Sequence, residues 1–439
     1  MKAVVLAGGK GERMYPVSHT QAKEMIRFCG KPLISYHLDE LKEAGIKEII
    51  LVINPEKKEE IESYFKKSYN GMKVNIVVQE EPFGPADAIY QTKKFFSKGD
   101  YMVVKYGDSF SDIPALKLLI ENFKKSKGCD AFITLKKVED VTRYGIVKFD
   151  SKKNIIDIVE KPKSEKEAPS NMAFMGCFIL NSDLFFKAFE EVGEDDIEAR
   201  EETHCMKYIF QNSKKVGSWI FDGKSIDVGR PWNILEANEL FLKKNKRKID
   251  STAKIHESAM IIGNVHIGKN TVVYENAVIK GPCWIGDNCI IGTNTLLRNS
   301  THVDNGAVVG SYCELKNAFL MQDTEIGHFS YIGDSVIGRK CKIGARFISA
   351  NRRLDRKTIK MIIQGQLKDT GLDFFGCVMG DNVALGVGVV TNPGRLIGPN
   401  CVIGPGVVLY KNIPKDTVVG LVQNLDFREV EKNDKDNSF

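Results

Sequence analysis

From Ile255 onward an aliphatic residue returns at every sixth position: Ile255, Ile261, Ile267, Val273, Ile279, Ile285, Ile291, Leu297, Val303, Val309 and Leu315. Small residues often stand four places further on, at Ala259, Val265, Thr271, Ala277, Cys283, Cys289, Thr295, Thr301, Ala307 and Cys313. A period of six is too short for a helical repeat and fits a hexapeptide β-helix, in which three hexads make one triangular coil and each side buries one aliphatic residue. The repeat is expected to form a core of its own. It breaks near Lys316, resumes at Ile326 and Ile332, slips by one at Ile337 and breaks again over residues 351–375. It returns at Met379, Leu385, Ile397, Ile403 and Leu409. Breaks in a solenoid are where loops project, and projecting loops tend to carry function. Cys283, Cys289, Cys313 and Cys401 fall within the repeat and show no metal-finger spacing, which suggests small buried side chains rather than disulfides.

The first half has another rhythm. Apolar runs such as KAVVLAG, EIILVIN, VNIVVQ, YMVVKYGD and AFITL alternate with amphipathic stretches such as ISYHLDELKEAGI. That alternation predicts an α/β domain with a mostly parallel sheet covered on both faces, its ligands beyond the carboxyl ends of the strands. A chain of 439 residues exceeds one ordinary core. The expected division is an α/β domain over 1–230, a helical connector over 231–250, a β-helix over 251–425 and a charged, disordered tail over 426–439. A net charge of +6 without a long basic tract argues against a dedicated nucleic-acid binder. No apolar run reaches the ~18 residues of a membrane span, and MKAVVLAGG turns to glycine too soon for a signal peptide. A soluble, reduced, cytoplasmic protein is the economical expectation.

The candidate ligand loop is VVLAGGKGERMYPVSHTQAKEM. Gly8, Gly9 and Gly11 allow close approach of backbone N–H groups to an anion. Three glycines alone read equally well as a tight turn without a ligand, and neither a Walker loop nor GxGxxG is present. Arg13 and Lys23 add two cations within short reach, an arrangement suited to holding a polyphosphate during transfer.

With the GKPLI that follows, this stretch resembles the signature of the sugar-1-phosphate nucleotidyltransferases. Later blocks agree in order: QEEPFGPADAI, YGDS, YGIV, VEKP and IDVGRPWNILEAN. The resemblance implies a Rossmann-like mixed sheet, with Leu6, Ala7, Gly8, Gly9, Gly11 and Arg13 around a nucleoside triphosphate. It implies Lys23 on the phosphates, Gln79 and Gly84 on the base, and Asp108 and Asp227 holding Mg2+. Gly145, Glu160 and Asn171 would contact the sugar; Glu160 reads equally as a surface residue paired with Lys161. Three residues depart from the pattern. Glu12 replaces a usual threonine and brings a carboxylate that repels nucleotide if it points inward and is harmless if it points outward. Ala22 replaces the proline before the lysine. Pro85 removes a backbone donor near the proposed base, leaving base choice open.

Hexad domains resemble the left-handed parallel β-helix acyltransferases, which assemble as trimers with acyl-CoA at the subunit boundary. GHFSYIGDSVIG and ISANRRLDRK resemble the acetyltransferase half of the bifunctional N-acetylglucosamine-1-phosphate uridyltransferases. That resemblance implies His328 as general base, and Lys316, Tyr331, Asn351 and Lys357 around a sugar phosphate. It also implies acetyl-CoA along the last coils. ISANRRLDRK lacks the usual aromatic and glycine, and Arg352 and Arg353 stand there instead. Three functions remain open. The first is a two-site enzyme that uses acetyl-CoA, UTP (or another nucleotide) and a hexosamine 1-phosphate. The second is a nucleotidyltransferase whose β-helix serves assembly only. The third is a non-catalytic homologue.

Overall fold

The computed structural model describes residues 1–81, 83–192, 202–213 and 215–428. Most of the predicted tail, from 429 on, lies outside these.

The strand Lys2–Ala7 runs parallel between Glu48–Ile53 and Tyr101–Tyr106, with Met72–Val78 parallel beyond Glu48–Ile53. Val4 sits opposite Ile50 and Val104, and all three are fully buried. Strands covered on both faces need apolar residues at every position, hence unbroken runs such as KAVVLA. The far half of the sheet is not parallel. Met172–Asn181 pairs antiparallel with Tyr101–Tyr106 and with Ala131–Lys137, and Val216–Ile220 lies parallel to Ala131–Lys137. The sheet is mixed, with a core cluster on each face.

The parallel strands all end at one edge, so Gly8, Gln79 and Asp108 collect there. A two-stranded antiparallel ribbon, Ser109–Ser111 with Ser225–Asp227, places Asp227 opposite Ser109, and the Val228 amide donates to the Asp108 carbonyl at 2.9 Å.

After the helix Pro231–Lys244, Lys248–Ile249 already forms a rung of a parallel β-helix. Its three faces contain eight, nine and eight strands. Ile267 stacks on Ile285, Val273 on Ile291 and Ile279 on Leu297, each eighteen residues apart. The small hexad residues seal the corners. Thr271 Oγ1 donates to Gly286 O at 2.7 Å and Thr295 Oγ1 to Gly310 O at 2.8 Å. Cys289, Cys313 and Cys341 place Sγ 3.2 Å from equivalent carbonyls. All ten cysteines are free.

The irregularities of the repeat fall on one edge. Leu315 to Leu320 and Ile332 to Ile337 are five-residue steps, and the next coil inserts a long excursion between Ser349 and Met379. The excursion carries the hairpin Lys360–Ile363/Gln366–Asp369.

The expectation of two separate cores is corrected in part. The inside of the coil is a cluster of its own. The outer side of one face is not: Phe319, Val336, Val378 and Leu396 share a cluster with Met14, Val17 and Phe28 and with Trp232 and Phe241 of the helix. Phe28 lies 4.8 Å from Phe241 and 5.4 Å from Phe319, ring to ring. Apolar residues at outward-facing positions of a coil show in the sequence only as extra hydrophobicity, with nothing to name their partner.

Candidate functional site

At the sheet edge, Leu6, Gly8, Gly9, Lys23, Gln79, Gly84, Tyr106 and Asp108 line a cavity of about 210 Å³. Ala7 ends the central strand beneath it and is buried. Gln79 is buried, and its Nε2 donates to Asp87 Oδ2 at 2.7 Å and Gly84 O at 3.2 Å. Its Oε1 lies against Gly8, where a Cβ would come within 2.9 Å, so a larger residue there would have to displace the amide of Gln79. Gly84 caps the helix Pro85–Tyr90, and Pro85 occupies its first position. A first-turn N–H has no intrahelical partner, so this proline is compatible with the helix.

Lys23 reaches between Gly9 and Asp108 and is ion-paired with Asp108. Burial opposes the Lys23 charge, but Asp108 and Glu24 outweigh it and raise its pKa. Burial likewise works to raise Asp108; Lys23 overcomes it and holds the carboxyl below its usual range. Asp227 reaches solvent, yet desolvation, followed by the charge of Asp108, pushes it up to about 6. Arg13 is exposed and close enough to act electrostatically in the opposite sense on Asp227. Two carboxylates that repel each other at the mouth of an anion loop form a hard-oxygen donor set that suits magnesium.

The departure at Glu12 is resolved by geometry. Its carboxylate accepts from Gln364 Nε2 at 2.9 Å, at the tip of the β-helix hairpin. Glu12 therefore points away from the cavity, into a larger cleft of about 660 Å³ shared with Lys10, Tyr15, His19 and Gln364.

On the antiparallel half of the sheet, Gly145 pairs with Glu160, and a Cβ there would stand 3.1 Å from Glu160 Oε2. Glu160 Oε1 is 2.7 Å from Lys161 Nζ, the contact expected of a surface residue. Asn171 is exposed and its carbonyl accepts from the Val138 amide at 3.0 Å.

On the β-helix, the shortened edge gathers one polar cluster around Asp334. Its carboxylate pairs with Lys316 Nζ at 2.9 Å and accepts from Asn317 Nδ2 at 2.9 Å and Asn351 Nδ2 at 2.6 Å. Asn351 Nδ2 also lies 3.1 Å from Tyr331 Oη. A Cβ at Gly333 would come within 2.5 Å of both groups, so a side chain there would displace them from each other. Phe374, returning from the excursion, lies 4.4 Å from Lys316 Nζ and 4.8 Å from the Arg352 guanidinium. Lys357 is on the exposed loop, where its amide donates to Asp355. His328 sits at another corner, in a shallow cavity of about 310 Å³ with Gly310, Gly327 and Lys342. Its Nδ1 accepts from the Ser311 amide at 2.9 Å. The neutral ring then carries its proton on Nε2.

Residues 2–244 match the nucleotidyl transferase family, more than half of the chain. The chain belongs to that family. Residues 279–393 match the GMPPB C-terminal domain. A bifunctional protein GlmU from Methanococcus maripaludis C7 is 38% identical over 95% of this chain and 97% of its own. Another from Methanocaldococcus jannaschii is 34% identical over 98% and 100%. A bifunctional sugar-1-phosphate nucleotidylyltransferase/acetyltransferase from Sulfurisphaera tokodaii is 31% identical over 94% and 98%. An apo UDP-glucose pyrophosphorylase structure superposes with TM-score 0.50 and 26% identity, covering 56% of this chain and 99% of that one.

Sequence reasoning missed Asp334, Asn317 and Phe374. The first two stand at five-residue steps, so the slip in the hexad was the available signal. Phe374 supplies an aromatic from the far end of the excursion, which no local pattern encodes.

Proposed function

We propose that the chain is a bifunctional enzyme of nucleotide-sugar synthesis. One half acetylates glucosamine 1-phosphate with acetyl-CoA; the other transfers a uridylyl group from UTP to the N-acetylhexosamine 1-phosphate and releases pyrophosphate. The observation that carries the reading is the convergence of Lys23, Asp108 and Asp227 at the mouth of the glycine loop. Asp108 and Asp227 would hold magnesium, which supplies charge stabilisation to the phosphate oxygens when bound. Lys23 and Arg13 offset negative charge on the triphosphate as the sugar-phosphate oxygen attacks the α-phosphorus. Gln79 and Gly84 face the base, and Gly145, Glu160 and Asn171 serve the sugar. No general base is needed, because the phosphate monoester is already an anion.

In the second half, Lys316, Tyr331, Asn351 and Lys357 take the sugar phosphate. The amine nitrogen attacks the thioester carbonyl, the C–S bond breaks, CoA leaves as thiol, and His328 takes the amine proton. For Nε2 to act as the base, the ring must give up the bond from Ser311 and move its own proton to Nδ1. Outward apolar residues along the coil, among them Ile290, Tyr312, Phe329 and Ile348, support association as a homotrimer through the β-helix. Free cysteines and these substrates suit the cytoplasm, and no helix among the described residues is long and apolar enough to cross a membrane.

A second reading, nucleotidyl transfer alone with an assembly-only β-helix, is favoured by the GMPPB C-terminal domain match. A panel of four nucleoside triphosphates against several sugar 1-phosphates, with and without acetyl-CoA, tests both. Magnesium-dependent pyrophosphate release with UTP and acetyl-CoA consumption with the amine sugar are expected. Pyrophosphate release without acetyl-CoA consumption supports the second reading.

A further inference from the structure

The segment between the two cations of the loop is held by the β-helix. Thr20 is gripped twice: its Oγ1 donates to Asp381 Oδ2 at 2.9 Å, and its carbonyl accepts from Arg339 Nη2 at 3.1 Å. Arg339 binds Asp381 through Nε and Nη2, both at 2.7 Å, and its Nη1 lies 3.2 Å from Glu60 Oε1. The other Glu60 oxygen accepts the amide of Ala22 at 2.9 Å. Ala22 is extended and immediately precedes the short turn Lys23–Met25. One guanidinium thus ties two coils of the β-helix to the residues that set where Lys23 begins.

Residues Thr20 to Ala22 belong to no helix or strand of their own. Their backbone conformation depends on these side-chain bonds and on the packing of Met14 and Val17 against the β-helix face. Only a planar fork with several donors makes all of these bonds together; an ammonium group is a single point charge.

We propose that Arg339, with Asp381 and Glu60, is a positioning residue for Lys23, so that the β-helix sets the geometry of nucleotide binding at the sheet edge. The inference rests on reading the Lys23 cavity as the nucleotide site. It makes nucleotidyl transfer depend on a β-helix residue at a different corner from His328.

The test uses the full chain with Arg339→Ala and Arg339→Lys. Amide hydrogen exchange over residues 12–25 is expected to quicken in both, while exchange in the β-helix interior stays as in the parent protein. Misplacing a group by about 1 Å can cost ~10²-fold, so nucleotidyl kcat/KM is expected to fall by about tenfold to a hundredfold, with kcat falling as well as KM rising. Acetyl transfer should stay at the parent level, and the melting temperature should fall only modestly, because Asp381 keeps the Arg339 amide and the Thr20 hydroxyl as partners; lysine should not rescue. Unchanged exchange over 12–25 overturns the inference. So does a loss of transfer matched by equal losses of acetyl transfer and melting temperature, which marks a purely structural role. Should Arg339→Ala fail to fold, Thr20→Val removes only the bond to Asp381 and should shift exchange and transfer in the same direction by less. A parent protein that transfers no nucleotide refutes the reading of the cavity, and the exchange measurement then decides the inference by itself.

Discussion

Replacing Asp227 by asparagine should make the metal-free protein more stable at pH 7 while it destroys nucleotidyl transfer. The Asp227 carboxyl is raised from 3.8 to about 6, by desolvation and then by Asp108. The folded protein therefore binds this proton more tightly than the unfolded chain does. Stability falls as pH rises from about 4 through about 6, and the whole cost is present at neutral pH. Two pH units correspond to ~3 kcal/mol as an upper bound. Because the side chain reaches solvent, screening reduces this to roughly 1 kcal/mol. For folding units of this size that is a rise in melting temperature of about 2–4 °C. Magnesium should stabilise the parent protein through the same repulsion, and should do little for Asp227→Asn. The assay is thermal unfolding from about pH 3.5 to about pH 8, with and without magnesium, beside pyrophosphate release at neutral pH. The gain from Asp227→Asn should shrink as pH falls from about 6 and vanish only below about pH 4, where the parent carboxyl is protonated in both states. A variant less stable than the parent at pH 7, or one that responds equally to magnesium, would refute the electrostatic reasoning.

Other outcomes follow from particular contacts. Glu12→Thr should leave the nucleotide KM unchanged, since its carboxylate is bound to Gln364; steady-state kinetics at fixed sugar phosphate checks this, and a clear fall in KM would show it facing the triphosphate. Gly333→Ala should cut acetyl transfer severely and spare nucleotidyl transfer, because the new Cβ would collide with Tyr331 Oη and Asn351 Nδ2; equal activity in both assays would contradict the cluster. His328→Ala should cost acetyl transfer ~10²–10⁴-fold, the usual worth of a general base, and a loss under about threefold is too small for the role.

Much of this molecule could be read from local pattern. The hexad period runs through the columns Ile267–Ile285–Val303 and Val273–Ile291–Val309, because a coil repeats the same local environment every turn. The glycine loop was legible for the same reason, its parts lying within a few residues of one strand end. Long-range pairing was not. The strand Met172–Asn181 inserts antiparallel beside Tyr101–Tyr106, and no feature of either run announces that direction. Glu12 could point inward or outward until Gln364, 352 residues away, was seen to bind it. Asp334 sits in the turn where the hexad slips, and becomes a hub only when Lys316 of the preceding coil and Asn351 of the following one reach it. Edges of a solenoid are built from residues one turn apart, so their chemistry has to be read across coils.

The central claim is that both activities reside in this chain. Its most direct test follows an isotope label on the acetyl group of acetyl-CoA, supplied to the purified full-length protein with glucosamine 1-phosphate, UTP and magnesium. The label should appear in UDP-N-acetylhexosamine, and chelating magnesium should stop it at N-acetylhexosamine 1-phosphate. A label that stays on CoA, while added N-acetylglucosamine 1-phosphate is still converted to its UDP derivative, would contradict the claim and leave the β-helix as an assembly domain.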